Sequence, residues 1–237
     1  MKTAIIPARG GSQRIPRKNI KLFHGKPMIA WPIQAALDSN CFEQVLVSTD
    51  DEEIASIARD CGAHTPFVRP AELSDHHSTT GAVMQHAVRW LQEQGADVSA
   101  VCCLYATAPF VQAQDIRDAL KLLQSQPLDY VFSATAYSFP IQRAFHLNAQ
   151  GRVQMFQPEH LFTRSQDLPE AFHDAAQFYW GCGQAWLERK PVFSSQSVPL
   201  FLPAHRVQDI DTPQDWLRAE QLFALQHPET FSHKVYA

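Results

Sequence analysis

Runs of apolar residues alternate with amphipathic stretches over the first half of the chain. Residues 2–7 form a short apolar run ending in small residues, the pattern of a buried strand. Residues 8–19, with Gly10, Gly11 and several arginines, are too polar and too glycine-rich for either regular element. From Pro27 a helical period puts Ile29, Ile33, Ala36 and Leu37 on one face, and Pro32 is tolerated in the first turn, where an N–H has no partner to lose. Residues 44–49 (QVLVST) read as a second buried strand, and residues 50–61 as a helix whose opening acids suit its dipole. A short strand over 64–68 and a helix over 79–94, closed by Gly95, follow. The continuous apolar run 100–105 (AVCCLY) suits a central parallel strand, and a helix over 115–124 and a strand over 130–135 extend the alternation. Strands alternating with helices of this length predict an α/β fold with a mostly parallel wound sheet and helices on both faces.

After residue 136 the rhythm breaks. Residues 141–147 and 152–156 flank the turn-like insert Asn148-Ala149-Gln150-Gly151, which predicts a hairpin, and 175–180 reads as a return to the sheet. Residues 211–226 close the pattern as a helix, with Thr212 as cap and Pro213 in the first turn. No repeat or low-complexity linker interrupts the chain. The expectation is one domain over 1–237, with an inserted lobe at about 137–180.

Composition narrows the class. Of 237 residues, 45% are hydrophobic and 19% charged, a globular balance, and no apolar run is long enough to span a bilayer. The N-terminus reaches glycine and arginine before a signal-peptide apolar region can form, so no membrane association and a cytoplasmic location are expected. Five cysteines without a CxxC fit free thiols in a reducing compartment. Charge is uneven: residues 1–37 hold seven Lys or Arg and no acid, whereas the remainder holds 13 basic and 24 acidic residues. A basic segment on an acidic protein points to a local anion site and away from a nucleic-acid surface.

Strand, basic glycine loop and helix together cradle phosphates with backbone N–H groups. GxGxxG and GxxxxGK[ST] are both absent. The loop present, Pro7-Ala8-Arg9-Gly10-Gly11-Ser12-Gln13-Arg14-Ile15-Pro16-Arg17-Lys18-Asn19, resembles the signature of the CMP-sialic acid synthetase (acylneuraminate cytidylyltransferase) family. Further resemblances follow in order: residues 48–55 (STDDEEIA), 69–73 (RPAEL), 106–109 (ATAP) and 209–216 (DIDTPQDW), so that they run from residue 3 to 216. Within the family, residues 142–144 (QRA), 155–159 (MFQPE), 163–167 (TRSQD) and 173–180 (HDAAQFYW) resemble its pseudaminic-acid branch.

The resemblance implies a Rossmann-like fold with a dimerisation lobe, and transfer of CMP from CTP to the anomeric hydroxyl of an acidic nine-carbon sugar, with pyrophosphate released. It implies Ala8, Arg9, Gly10, Gly11, Ser12, Arg14, Lys18, Asn19, Arg69, Ser78, Thr79 and Thr80 for the nucleotide, with Arg9, Lys18 and Asp211 catalytic. Physics agrees: a triphosphate carries about four negative charges, and fixed cations and donors aimed at its developing charge are the main catalytic resource. Gln13 departs from the family's usual lysine, which leaves Arg14 to compensate. For the sugar the implied set is Tyr105, Thr107, Arg143, Gln157, Arg164, Gln177 and Tyr179, the two arginines being candidates for its carboxylate. Tyr105 and Ala106 stand where sialate enzymes carry Gln-Pro, which favours a deoxygenated, methyl-ended sugar such as pseudaminic acid.

Asp209 and Asp211 share one face of an extended backbone, and two hard oxygen donors suit Mg2+ or Mn2+, although such acids also simply begin helices. Other constellations are weaker. Asp75-His76-His77 reads as a loop near the nucleotide and Cys102-Cys103 as core, while His173-Asp174 fits either a sugar contact or a buried structural pair. A side chain and a metal-bound hydroxide remain equal readings for the general base. The rival functions are the same chemistry on N-acetylneuraminate, legionaminate or 3-deoxy-manno-octulosonate, and a non-catalytic nucleotide-binding protein.

Overall fold

The structure, a computed structural model, describes residues 1–228. Strand β1 (Lys2–Pro7) is buried on both faces, as its unbroken apolar run requires. Past the basic loop, β2 (Leu22–Phe23) and β3 (Lys26–Pro27) form a small antiparallel ribbon turned by His24 and Gly25, both at positive φ. Because Lys26 and Pro27 pair in that ribbon, helix α1 (Ala30–Ser39) starts later than the Pro27 signal predicts, and Leu37 is 38% exposed rather than part of the core.

Strand β4 (Gln44–Ser48) leads to α2 (Glu52–Asp60), capped by the Asp51 carboxylate accepting from Ile54 N at 3.0 Å. The strand expected over 64–68 is reduced to two bridges, Leu46 with His64 and Thr49 with Val68. Then come α3 (Thr80–Glu93), capped by Thr79, β5 (Ala100–Leu104), α4 (Ala113–Ser125) and β6 (Tyr130–Ala136). The expected hairpin is β7 (Phe145–Leu147) with β8 (Val153–Met155). Strand β9 (Phe172–Cys182) returns to the sheet, followed by α5 (Gly183–Glu188), β10 (Ser197–Phe201) and α6 (Pro213–Gln226). Thr212 and Asp215 form a full capping box on α6.

The sheet order is β10-β6-β9-β5-β1-β4. Every pairing is parallel except those of β9, which runs antiparallel between β5 and β6. Neither β10 nor α5 is legible beforehand. The first is a half-buried edge strand interrupted by Pro199, the second a helix of six residues.

Side-chain alternation along β1 divides the core. Ile6 joins Ile33, Val47, Leu104 and Trp180 under α1, α2 and α4, whereas Ile5 joins Met84, Val101, Tyr130 and Trp186 under α3 and α5. At Gly183 an added Cβ would lie 2.1 Å from the Val98 carbonyl oxygen, so only glycine lets α5 start this close to the chain entering β5. A third cluster matters most for the site. Ile15 and Phe23 pack with Phe110, Ile210, Trp216 and Phe223, which anchors the basic loop to α6 at the chain's far end.

Candidate active site

In open parallel sheets, ligands bind beyond the carboxyl ends of the strands. Here the loops following β1 and β5 border a cavity of about 390 Å³, lined by Arg9, Ser12, Gln13, Arg14, Lys18, Asn19, Arg69, Ser78, Thr80, Tyr105, Thr107 and Asp211 among others.

The basic loop is fixed at several points. Ala8 N donates to Ser48 O at 2.9 Å, Gly10 N to Asp50 Oδ1 at 3.0 Å, and Asn19 Nδ2 to Arg9 O at 3.0 Å. A Cβ on Gly10 would come within 2.7 Å of Asp51 Oδ2, which explains glycine there. Arg17, at φ 54°, turns away from the cavity and binds Asp51 and Glu53. That pairing raises the Arg17 guanidinium pKa, and holds the Asp51 carboxyl below the usual carboxylate range.

The cations that do face the cavity are held more loosely. Arg9 Nη1 donates to the Asp75 carbonyl at 2.7 Å. Lys18 Nζ donates to Ile210 O at 2.5 Å and lies 3.3 Å from Asp211 Oδ1, while Arg14 Nη2 is 2.9 Å from Asp211 Oδ2. Arg69 is 4% exposed, yet its Nε and Nη2 have no hydrogen-bond partner, and the nearest acid, Asp50, is 3.7 Å from Nη2. Burial lowers its pKa. Buried donors left unpaired are costly, so the cavity beside Arg69 is suited to an acceptor-rich ligand. Gln13 and His76 form a hydrogen-bonded pair at 2.7 Å on the same wall, a contact that the 75–77 loop's sequence does not disclose.

Other expected residues lie elsewhere. Ala8 is fully buried, so only its backbone is available. Gly10 packs on Asp50 and Asp51, Gly11 is exposed, and neither lines the cavity. Thr79 caps α3 and borders a second cavity of about 380 Å³, which shares Thr80 and Tyr105 with the first and includes Tyr179 and Asp174. Asp211 lines the first cavity; Asp209 does not, and its carboxyl is pushed up by desolvation and by the charge of Asp211.

Of the sugar set, Tyr105, Thr107 and Tyr179 line these cavities. Gln177 is a correction: it is 3% exposed and donates its amide to Arg206 O at 2.6 Å, because β9 turns that side chain into the protein. Arg143, Gln157 and Arg164 sit on the lobe and border neither cavity of their own chain. Arg164 is paired with Asp167 at 2.6 Å. The lobe diverges after β6, which carries all three away. The sequence reading also misses Trp186, Val192 and Phe193 of the second cavity, since they lie around the short α5.

A family model described as cytidylyltransferase matches residues 3–225. The pseudaminic acid cytidylyltransferase of Campylobacter jejuni subsp. jejuni serotype O:2 is 47% identical over 228 residues, 96% of this chain and 98% of that one. The CMP-N,N'-diacetyllegionaminic acid synthase of Legionella pneumophila is 31% identical over 226 residues, 94% and 96% of the two chains. A solved structure of CMP:2-keto-3-deoxy-manno-octonic acid synthetase complexed with CTP aligns with a TM-score of 0.67 at 18% identity, covering 95% of this chain and 99% of that one, and so shares the fold.

The Arg17 pairing predicts a pH signature. Because the folded Asp51 pKa is depressed, its stabilisation is fully present above the unfolded value of about 3.9 and is lost as pH falls through the lower folded value. Arg17→Met is expected to cost about 1 kcal/mol at pH 7, discounted for the partly exposed pair. Urea unfolding at pH 7 and at pH 3 checks this; the gap between variant and parent should narrow at pH 3, and a constant gap would refute it.

Proposed function

This chain belongs to the cytidylyltransferase family, and we propose that it transfers CMP from CTP to a nine-carbon acidic sugar of the pseudaminic acid type. It is a CTP-dependent nucleotidyltransferase with a mostly parallel, Rossmann-like sheet. The observation that carries the choice of sugar is 47% identity across nearly the full length of both chains. The cavity chemistry is consistent with it: a cationic wall for a polyanion adjoins a cavity walled by aromatic side chains together with Asp174, Arg189 and Lys190.

In the proposed reaction the anomeric hydroxyl gives up its proton to a general base as its oxygen forms a bond to the α-phosphorus. The bond from that phosphorus to the oxygen bridging to the β-phosphate breaks, and pyrophosphate leaves with the electron pair. Arg9, Arg14 and Lys18 would bind the triphosphate, with Lys18 nearest the α-phosphate; Asn19, Arg69 and Ser78–Thr80 would hold the cytidine. Lys18 and Arg14 currently satisfy Asp211. Phosphate oxygens offer them stronger, charge-assisted partners, so nucleotide binding would free the Asp211 carboxylate.

Asp209 and Asp211 are hard oxygen donors of the kind Mg2+ or Mn2+ prefers. No cluster of three or more His, Cys, Asp or Glu suited to a metal occurs among the described residues, so the nucleotide's oxygens and water would complete the coordination. Such an ion, when bound, neutralises phosphate charge and orients the reactants.

We further propose a cytoplasmic homodimer. All five cysteines are free, and among the described residues no helix is long and apolar enough to cross a membrane. The lobe leaves Phe139 82%, Phe162 93%, Leu147 62% and Val153 64% exposed, a concentration of apolar surface that a second copy would cover. A neighbour's lobe would then bring Arg143 and Arg164 to the sugar's carboxylate.

Three measurements test the reading. With CTP and a panel of nine-carbon acids, kcat/KM should favour pseudaminate over N-acetylneuraminate by about a hundredfold or more; equal turnover would remove the branch assignment and leave the transferase. Asp211→Asn should lower kcat about a hundredfold, close to 2.7 kcal/mol of barrier, with the fold retained; unchanged turnover at limiting Mg2+ would reject the metal role. In sedimentation the parent should run as a dimer and the double variant Phe139→Asp/Phe162→Asp as a monomer. A monomeric parent would reject the dimer.

A further inference from the structure

Arg14 and Lys18 lean toward the Asp211 carboxylate and the Ile210 carbonyl, on the α6 side of the first cavity. Another part of the basic loop meets the turn over residues 75–78. There Arg9 Nη1 donates to the Asp75 carbonyl, and Gln13 Nε2 lies 2.7 Å from His76 Nε2. Gln13 and His76 are both exposed and both line the cavity, and among the described residues His76 is the only imidazole that borders it. An exposed hydrogen bond between two such side chains adds little to stability, so folding alone gives no reason for the pair.

The turn that presents His76 is fixed by its own groups. Asp75 Oδ1 accepts from His77 N at 3.0 Å, and from Ser78 N and Oγ at 2.7 and 2.6 Å. With Arg9 holding the Asp75 carbonyl, the backbone on both sides of His76 is tied down.

The partner chosen for the ring is informative. Gln13 offers its amide nitrogen, so His76 Nε2 accepts, and the neutral ring carries its proton on Nδ1. Among the described residues, Nδ1 has no side-chain or backbone partner. Turned over, the same amide would offer its oxygen to a protonated Nε2. Gln13 can therefore hold the ring in either charge state and leave one N–H for a ligand. A lysine or an arginine, which only donates, could not.

We propose that His76 is a ligand for the terminal phosphates of CTP and for the pyrophosphate that leaves, with Gln13 as the residue that positions its ring. The inference rests on the transferase reading above, in which Lys18 and Asp211 face the α-phosphate and leave the far phosphates to Arg9 and His76. Phosphate oxygens accept from the ring N–H, and more strongly when the donor is an imidazolium. Ser78, two residues on in the same turn, belongs to the cytidine set, so one short segment would clasp both ends of the nucleotide.

Titration calorimetry on the full-length enzyme with Mg2+, using CTP, CMP and inorganic pyrophosphate as probes, tests this. His76→Ala should weaken CTP and pyrophosphate about tenfold each. CMP, which has no terminal phosphates, should stay within about twofold of the parent, and the melting midpoint of the free enzyme should not move. Gln13→Ala should weaken CTP on its own and weaken it no further when added to His76→Ala. Parent-like CTP affinity in His76→Ala, equal weakening of CTP and CMP, a lowered melting midpoint, or additive effects in the double variant would each overturn the inference. Failure of the parent to bind CTP would overturn the functional reading, and this inference with it. A parent that binds CTP but forms no CMP-sugar would overturn the transfer reading alone.

Discussion

Cations that must remain available to a polyanion have to be held by partners that the polyanion can displace. Four positive side chains, Arg9, Arg14, Lys18 and Arg69, line one cavity, where their mutual repulsion opposes folding. The fold offsets this with weak or shared partners. Arg9 and Lys18 use backbone carbonyls, Arg14 and Lys18 share Asp211, and Arg69 lies 3.7 Å from Asp50. Arg17 contrasts with them. Satisfied by Asp51 and Glu53, it has nothing to gain from a phosphate, and its place is structural even though the sequence puts it one residue from Lys18. In this way the pairing pattern sorts arginines that composition treats alike.

Holding the loop in that state requires anchors at a distance. The ladder between β1 and β4 fixes where the loop begins, and Asp50 and Asp51, at the exit of β4, hold its glycine and Arg17. The loop's later part is fixed by Ile15 and Phe23, packed with Ile210, Trp216 and Phe223. Because Ile210 lies between Asp209 and Asp211, the apolar cluster that seats the loop also seats the carboxylates. Lys18 donating to the Ile210 carbonyl closes the connection between two segments that the sequence separates by 192 positions. Packing and electrostatics therefore specify the same register of loop against α6.

Much of this was legible in the sequence because its signals are local. Unbroken apolar runs located β1, β4, β5 and β6, while opening acids located α2, helical spacing stopped by Gly95 located α3, and the Thr212 cap located α6. What escaped depends on long-range pairing. The antiparallel direction of β9 follows from the chain returning from the lobe between β5 and β6, and no periodicity encodes that. The ribbon of β2 and β3 captures Pro27, which otherwise reads as a helix start. On the site side, the loop residues were legible from their chemistry, and Asp211 from its motif. The burial of Gln177 was not, since the break in β9 changes which residues face the core.

The antiparallel strand also explains how one site can serve two unlike substrates. A fully parallel sheet would fill the place beside β5 with a strand of the same polarity, whose loop would open on the same side. Strand β9 enters from the lobe instead, so the residues that reach the site belong to the strand's body, Asp174 and Tyr179, rather than to a loop after its end. They wall a cavity with Trp186, Val192 and Phe193, richer in aromatic surface than the cavity under the basic loop although Arg189 and Lys190 also border it. Thr80 and Tyr105 are common to both. Two reactants lying in these cavities would be separated by little more than those side chains, and positioning of that kind can supply a large part of the rate of a bimolecular transfer. The reversed strand is thus the topological feature that sets a second, aromatic-walled cavity against a polyanion site without disturbing either.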